Sequence, residues 1–432
     1  MQKEKISLII LRIFIFSYKV IGLATFSVRS KSFKILKDPK VDTGNHNGTD
    51  EDGSLDISMQ FVYSRFGTMY NVLLTCFLLV MNYLSIPSIY SESYSNTTPL
   101  IRVIVAAQAA GGIFVMITAI LVYTVKQKTA LRIAGKITQM DHVLLKMDDI
   151  FWDDFSIWLF LLFLGSIALW INHLVLEVIA FDENMIPLFS VTVPSFIVYW
   201  LVLQYTFVLI LIERRFRIIN QALRALIPKS NLMTDCYPGI PLNLPEYILV
   251  NNSTIRSIKK LHMAYTTLCE VCLEVSEYYG VSILLAISYY FYSLVYNAYS
   301  ILGPFVVSRE QIKLFILLDS ISWLIILVFP IAVLTWSVTK TVSEAKRTSD
   351  VVHELLHSVL HREAKIELKY FSLQLLHKNI SFTAFEFFTL DFTLLRSILS
   401  ATATYLIILI QFRMSDPWQS RNRNSSALSM RH

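Results

Sequence analysis

The residues best placed to do chemistry lie near the end of the last long apolar stretch, in the segment TYLIILIQF from Thr404 to Phe412. On a helix, Thr404, Ile408 and Gln411 share one face, because they are spaced by four and then three residues. Tyr405, Ile408 and Phe412 form the neighbouring stripe. Several copies of this helix around one axis would present hydroxyl, aliphatic and amide rings, which is the chemistry of an ion path.

The position of Gln411 also has a simpler interpretation. A glutamine in a membrane helix costs free energy unless it meets water, lipid headgroups or a polar partner. Gln411 would satisfy this rule in the outer headgroup layer beside Phe412, as many residues at the ends of membrane spans do. Helix position alone leaves the pore and the headgroup interpretations equally open.

Polar and aromatic residues in the outer halves of other apolar stretches form a second set of candidates. Burial of a polar group without a partner is costly, so these residues indicate a ligand pocket. Aromatic rings with a few hydrogen-bonding groups suit small organic ligands, although tyrosine and tryptophan are also enriched at membrane interfaces. Asp319 is the strongest candidate, because an acidic side chain inside a span is a functional hypothesis by default. The candidates are Trp170, His173, Glu177, Tyr292, Tyr296, Asn297, Asp319 and Trp323.

Two further motifs favour packing over chemistry. Cys269-x-x-Cys272 has no second Cys or His pair and lies in an apolar helical seam, so zinc binding is not expected. His353, His357 and His361 repeat every four residues, but no cysteine and carboxylate ligands accompany them. The sequence also contains no glycine-rich phosphate loop and no nucleophile motif. We therefore expect no enzyme activity, no metal ion and no cofactor.

The composition requires a membrane around these candidates. Hydrophobic residues make up 54% of the 432 residues and charged residues only 16%, with a mean hydropathy of +0.53. Such a composition excludes an ordinary soluble enzyme. The net charge of +6 does not indicate a nucleic-acid partner, because the basic residues flank apolar stretches and do not gather on one segment.

Seven stretches reach the length of about 20 apolar residues that a helix needs to cross the hydrocarbon core. Very short connections alternate with long, charged connections between them. The predicted spans are Thr68–Tyr90, Leu100–Val125, Phe155–Phe181, Met185–Ile212, Tyr278–Gly303, Lys313–Thr339 and Thr389–Phe412. The sequence therefore predicts an all-α membrane protein with seven transmembrane helices.

Lysine and arginine residues orient the chain, because those near the ends of spans stay in the cytosol. Such residues concentrate in the N-terminal segment and in the three long links, whereas the three short links contain only Arg309. This asymmetry predicts a cytosolic N-terminus and, after seven crossings, an extracellular C-terminus. G-protein-coupled receptors have the opposite orientation.

The predicted organisation has five parts. Residues 1–67 form a cytosolic segment with an interfacial or buried helix and a disordered linker at Asp42–Asp56. Residues 68–339 contain the first six spans and the ligand pocket, and residues 340–388 form cytosolic anchor helices. Residues 389–412 form the pore-lining seventh span, and residues 413–432 form an extracellular tail.

An apolar seam with steps of four and three residues runs into the fifth span. It predicts that membrane helices project into the cytosol and pack together there. The alternative is a set of amphipathic helices that lie on the bilayer surface. The seam residues are Leu261, Tyr265, Leu268, Cys272, Val275 and Tyr279.

The ending SFTAFEFFTLDFTLLRSILSATATYLIILIQF resembles the C-terminal signature of insect gustatory receptors. The last helix of that family carries Thr-Tyr, several apolar residues and then Gln-Phe. Thr404, Tyr405, Gln411 and Phe412 match this pattern completely. The seven-span layout with an internal N-terminus also agrees, while the rest of the chain agrees in layout and not in motif.

The resemblance implies a tetrameric, ligand-gated, non-selective cation channel related to the insect odorant receptors. In such a channel Gln411 and Phe412 line or gate the pore, and Thr404 and Tyr405 support the helix. The shared helix face described above adds Ile408 and Thr404 to the predicted pore residues. The implied partners are a small-molecule tastant, membrane lipid, and copies of this chain in a homotetramer or other gustatory receptors in a heterotetramer. The implied location is the plasma membrane of sensory neuron dendrites.

One position bears on the ligand class. Sugar-sensing relatives often carry an acidic residue just after the Thr-Tyr pair, whereas this chain has Leu406. A bitter or general tastant is therefore favoured over a typical sugar. A fructose-like sugar and an internal nutrient, thermal or light-related role remain alternatives within the family. A metabotropic seven-span receptor or a transporter is the alternative outside it.

Overall fold

The structure is a computed structural model that describes residues 13–24, 26–33, 56–89, 99–145, 155–181, 186–226, 252–303, 314–358 and 362–414. Helices dominate these ranges, and two small antiparallel sheets accompany them. The helices are α1 (13–21), α2 (Arg65–Ile89), α3 (Pro99–Val125), α4 (Gln127–Leu145), α5 (Phe155–Phe181), α6 (Ile186–Ala225), α7 (Asn252–Gly303), α8 (Leu314–Ser358), α9 (Arg362–His377) and α10 (Phe392–Met414). The strands are β1 (Phe26–Phe33), β2 (Asp56–Tyr63), β3 (Thr383–Ala384) and β4 (Phe388–Thr389).

Seven of the described helices are long and apolar enough to cross a membrane, which confirms the predicted all-α fold class. They are α2, α3, α5, α6, α7, α8 and α10. The last of them begins at Phe392 and not at the predicted Thr389, because Thr389 pairs with Thr383 in the β3–β4 hairpin. Asp391 then caps the helix, since its Oδ1 accepts a hydrogen bond from the Thr393 N–H at 2.9 Å.

Three helices are much longer than a bilayer is thick. Helices α6, α7 and α8 contain 40, 52 and 45 residues. At about 1.5 Å per residue, α7 extends for about 78 Å, against about 30 Å of hydrocarbon. Their ends pack with α4 and α9 into a body that we call the helical extension (residues 127–145, 213–225, 252–277, 340–358 and 362–377). The structure buries all six residues of the predicted seam, Leu261, Tyr265, Leu268, Cys272, Val275 and Tyr279.

Helix α6 lies at the centre of the bundle and packs against α2, α3, α7 and α8. Its residues from Ile197 to Leu203 are all buried, as a helix that is apolar on every side requires. Helix α5 packs against α8, and α10 packs against α7 and α8. The membrane helices α5 and α10 therefore meet the bundle along one side each.

The N-terminal helix α1 packs into the bundle. Tyr18 is 5% exposed, and the ring of Phe14 lies 4.5 Å from the ring of Phe163. The Nδ2 of Asn71 donates to the Gly22 carbonyl at 2.9 Å. Gly22 has a φ of +87°, a backbone conformation that other residues adopt only with strain.

An antiparallel hairpin follows α1, and the sequence did not predict it. Strand β1 pairs with β2 from Phe26 opposite Tyr63 to Phe33 opposite Asp56. The predicted disordered linker lies outside the described residues, except for Asp56, which begins β2.

Charged contacts join the members of the helical extension. Arg215 of α6 binds the carboxylate of Asp141 on α4 in a bidentate manner, at 2.8 and 2.6 Å. Lys136 of α4 contacts Glu274 at 2.9 Å and Glu270 at 3.1 Å. The hydrogen bonds to Glu274 and Glu270 raise the pKa of Lys136.

Candidate pore helix and ligand site

Helix α10 packs against the bundle through one face. Leu394, Ile398 and Thr402 recur every four residues along this face and are only 7–8% exposed. The predicted pore residues lie on other faces of the helix. Ile408 is 39% exposed, and Thr404 and Gln411 are also exposed.

A stripe of polar side chains follows an exposed face of α10, and we call it the polar stripe. Its members are Thr393, Ser397, Ser400, Thr404 and Gln411, all exposed in the protomer. Their spacing of four, three, four and seven residues keeps them on one side of the helix. The hydroxyls of Ser397 and Thr404 donate to the carbonyls of Thr393 and Ser400 at 2.8 and 3.1 Å. Oxygen lone pairs of these hydroxyls remain available to an ion or to water.

The other two predicted residues of the last span have different surroundings. The ring of Tyr405 lies 5.8 Å from the ring of Phe291 on α7, so Tyr405 packs against its own subunit while remaining 52% exposed. The side chain of Phe412 lies outside the described residues, although its backbone belongs to α10.

Exposure alone does not distinguish α10 from a helix that faces lipid. In the most apolar part of α2, as in that of α10, 17% of the residues are buried. The chemistry of the exposed faces differs. Large exposed side chains of α2 are apolar or aromatic, such as Val72, Phe77 and Leu84. The polar stripe of α10 instead carries hydroxyl and amide groups, which are costly to expose to hydrocarbon. The face of α10 that carries the polar stripe therefore suits water or a partner helix better than lipid.

Five of the eight pocket candidates meet where α5, α6 and α8 pack together. His173 of α5 is fully buried between two carboxylates. Its Nδ1 lies 3.2 Å from the Oδ1 of Asp319 on α8, and its Nε2 lies 3.5 Å from the Oε2 of Glu177. The hydroxyl of Thr192 on α6 donates to the Glu177 carboxylate, with distances of 3.0 and 3.2 Å to the two oxygens. We call these four residues the His173 cluster.

Aromatic rings surround the His173 cluster. The ring of Trp323 lies 4.4 Å from the ring of His173, and that of Trp170 lies 5.7 Å from it. Tyr199 and Phe196 of α6 pack against Trp170, at ring distances of 5.6 and 5.1 Å. The cluster is thus a set of ionisable groups beside aromatic rings, and we call the rings of Trp170 and Trp323 the aromatic wall.

Several buried polar atoms of this region have no hydrogen-bond partner within the described part of the chain. They are the Nε1 of Trp170, both ring nitrogens of His173 and the Oδ1 of Asp319. His173 and Asp319 are close but poorly aligned for a hydrogen bond. Buried polar atoms are normally satisfied, so a further polar or charged group would be stabilised here.

The three pocket candidates on α7 have neighbours other than those of the His173 cluster. Tyr296 packs against Ala109 of α3, as does Val191 of α6. The Nδ2 of Asn297 donates to the carbonyl of Ser293, one turn earlier on its own helix, at 2.8 Å. Tyr292 is half-buried.

Sequence reasoning missed two sets of polar residues. One lies between α3, α6 and α7, where the hydroxyls of Ser195 and Tyr289 are 2.7 Å apart and the Nε2 of Gln108 donates to Ser293 at 3.3 Å. Ordinary interhelical hydrogen bonds use the same residue types, so no sequence signal distinguishes this set. The other is the N-terminal part of the polar stripe, Thr393, Ser397 and Ser400. The helical spacing of these hydroxyl residues in the last span could have revealed it.

Among the described residues, no group of three or more His, Cys, Asp or Glu side chains is arranged so that it could hold a metal ion. Cys269 and Cys272 are buried free thiols. The rings of His353 and His357 lie 5.2 Å apart, and His361 lies outside the described residues.

Comparison with known proteins agrees with this architecture. The family model described as 7tm Chemosensory receptor matches residues 58–416. Gustatory receptor 28b of Drosophila melanogaster is 30% identical over 185 residues, which are 42% of this chain and 39% of that protein. Gustatory receptor 28a of the same organism is 31% identical over 177 residues, 39% and 38% of the two chains. This chain therefore spans about two fifths of the length of these relatives.

The fold is similar to that of a solved receptor. The insect olfactory receptor OR5 from Machilis hrabei has a TM-score of 0.54 to this chain at 10% sequence identity, covering 93% of this chain and 97% of that one. A likeness at this identity concerns the fold alone. The family model covers most of the sequence, from β2 to the end of α10. The chain therefore belongs to the 7tm chemosensory receptor family.

Proposed function

We propose that this chain is a ligand-gated, non-selective cation channel in which four copies of α10 surround the conduction path. The polar stripe carries this proposal. It is exposed along the helix, whereas Leu394 and Ile398 of the same helix pack into the bundle. Exposed apolar side chains such as Leu399 and Ile407 also occur on α10, on faces that suit lipid. The face with the hydroxyl and amide groups fits a water-filled axis better than lipid.

The side chains near the outer end of the polar stripe support a gate at this level of the helix. Ile408 is exposed between the levels of Thr404 and Gln411. A ring of aliphatic side chains narrows and dewets a conduit, which is how apolar constrictions close channels. In this arrangement Gln411 and Phe412 form the outer rim, and Tyr405 holds the helix against Phe291.

A second exposed surface supports the tetramer. Helix α9 turns Ala364, Leu368 and Phe371 toward the bundle and exposes an apolar stripe on its other side. Exposed apolar patches of this kind usually bind a partner. We propose that this α9 stripe joins four copies around the axis of α10, each copy being this chain or another gustatory receptor. The stripe consists of Ile366, Tyr370, Leu373 and Leu376, which are 45%, 63%, 53% and 76% exposed.

The proposed orientation has the N-terminus in the cytosol and the C-terminus outside the cell, in the plasma membrane of sensory neuron dendrites. The distribution of basic residues supports it. The His173 cluster then lies in the outer half of the bundle, where a small molecule arrives from outside. Leu406 favours a bitter or general tastant over a sugar.

Two measurements test the proposal. A tag on the C-terminus should bind antibody on intact cells that express the chain. In cells without other chemosensory receptors, a tastant screen should elicit cation currents, and Gln411→Ala should alter conductance or ion selectivity at unchanged surface expression. A tag that is reached only after permeabilisation contradicts the orientation, and unchanged permeation in the variant removes Gln411 from the pore.

A further inference from the structure

We propose that the His173 cluster binds the ammonium group of a small organic cation. This inference deepens the proposed function and rests on it, because it names the ligand class of the same receptor.

The cluster has more carboxylates than cations. Among the ion pairs of the described residues, Glu177 and Asp319 have His173 as their partner. If the imidazole carries two protons and both acids are ionised, the cluster has one net negative charge. If one of those protons moves to an acid, the net charge is unchanged. A buried net charge in a membrane protein is costly unless another charge compensates it.

An organic ammonium ion fits the cluster in three respects. It supplies the missing positive charge, and its N–H groups are donors for carboxylates, which only accept. The rings of Trp323 and Trp170 lie 4.4 and 5.7 Å from the ring of His173. A cation held beside this imidazole would be close to both, and aromatic rings stabilise cations within about 6 Å. The hydrocarbon part of the ligand would pack on the aromatic wall. A sugar would leave the negative charge uncompensated. A further proton on one carboxylate would neutralise the cluster but would not contact the aromatic wall.

Glu177 is the accessible end of the cluster. Its side chain is 18% exposed, whereas Asp319 is 5% exposed and His173 is fully buried. Thr192 holds the Glu177 carboxylate from the α6 side. The ammonium group therefore meets Glu177 first, and Asp319, on the other side of the His173 imidazole, adds its negative charge to the site.

The test measures binding by the purified receptor in lipid nanodiscs through the shift in melting temperature. The probes are primary ammonium ions of increasing size, from methylammonium to phenethylammonium, each compared with the alcohol of the same carbon skeleton at neutral pH. At least one ammonium ion should bind about tenfold more tightly than its alcohol partner, a difference of about 1.4 kcal/mol.

Variants locate the preference. Asp319→Asn and Glu177→Gln should each remove the preference for the ammonium ion. Glu367→Gln is the matched control, because Glu367 also faces a histidine, at 2.8 Å from the Nδ1 of His262, but lies in the helical extension. The control variant should retain the preference. If Asp319→Asn does not fold, Glu177→Gln decides.

Two results would overturn the proposal. The first is that no ammonium ion in the series binds better than its alcohol. The second is that acidification alone raises the melting temperature as much as any probe and the probes add nothing, which makes the cluster a proton site. Because binding is measured without ion flow, either result leaves the channel proposal standing. Binding without any cation current would contradict the channel and not the ammonium site.

Discussion

Replacing Thr404 by valine tests whether the polar stripe lines the conduction path. Valine keeps nearly the shape of threonine and replaces the hydroxyl by a methyl group. Thr402 offers a matched control, because both hydroxyls donate to the carbonyl four residues earlier, Thr404 at 3.1 Å and Thr402 at 2.8 Å. The two residues differ in surroundings, since Thr402 is 7% exposed and packs into the bundle while Thr404 is exposed.

The size of the effect follows from the hydrogen bonding of Thr404. Its hydroxyl proton is already donated within the helix, so only oxygen lone pairs can contact a permeating ion or its water. One polar contact of this kind has a net value of about 1 kcal/mol, which changes a rate about fivefold. We therefore expect Thr404→Val to lower single-channel conductance about fivefold. Thr402→Val should leave conductance unchanged and change the free energy of unfolding by less than about 1.5 kcal/mol.

Single-channel recordings from excised patches would measure both variants at matched surface expression. Whole-cell current alone is insufficient, because a folding defect would also lower it. Equal conductance loss in both variants, or loss in Thr402→Val alone, would show that the conduction path does not follow the polar stripe.

Three further predictions concern the start of α10 and the helical extension. Asp391→Ala should lower the free energy of unfolding by about 1 kcal/mol through loss of the cap. Hydrogen bonds from Thr393 lower the pKa of Asp391, so this stabilisation should be present above the ordinary carboxyl pKa and be lost as pH falls through the lowered value. Hydrogen bonds to Glu274 raise the pKa of Lys136, so its contribution should be present below the ordinary lysine pKa and be lost as pH rises through the raised value. Leu373→Glu should dissociate the proposed tetramer.

Each of these predictions has its own measurement. Chemical denaturation of the reconstituted receptor across acidic pH should show a loss of stability that Asp391→Ala lacks, and a loss of equal size in that variant contradicts the cap. The same experiment across alkaline pH compares wild type with Lys136→Met, and identical curves would show that the ion pairs contribute nothing. Mass photometry of Leu373→Glu should show assemblies smaller than a tetramer. The variant leaves the buried face of α9, which includes Leu368, unchanged. Intact tetramers would exclude the α9 stripe as the joining surface.

The seven spans were predictable because a helix in hydrocarbon needs about 20 apolar residues wherever it occurs. The ends of the helices were harder to predict. Helix α10 begins at Phe392 because the β3–β4 hairpin and the Asp391 cap precede it. The hairpin of β1 and β2 escaped prediction because its strands are separated by residues 34–55. Pairing over such a separation is not encoded in either strand alone.

Helix periodicity was sufficient to put His173 and Glu177 on one face of α5, and Asp319 with Trp323 on one face of α8. It could not predict that these two faces contact each other. The 3.2 Å approach of His173 to Asp319 depends on the packing of α5 against α8. Tyr296 shows the difference, because this aromatic candidate on α7 packs against Ala109 instead.

For α10, the sequence by itself determined which side chains share a face, because side-chain direction along a helix is a local property of the backbone. Only the tertiary structure decided which face is buried. It turns Leu394 and Ile398 into the bundle and leaves Ser400 and Thr404 outside. The physical reason is that burial depends on α7 and α8, which are distant in sequence and contribute the surface against which α10 packs.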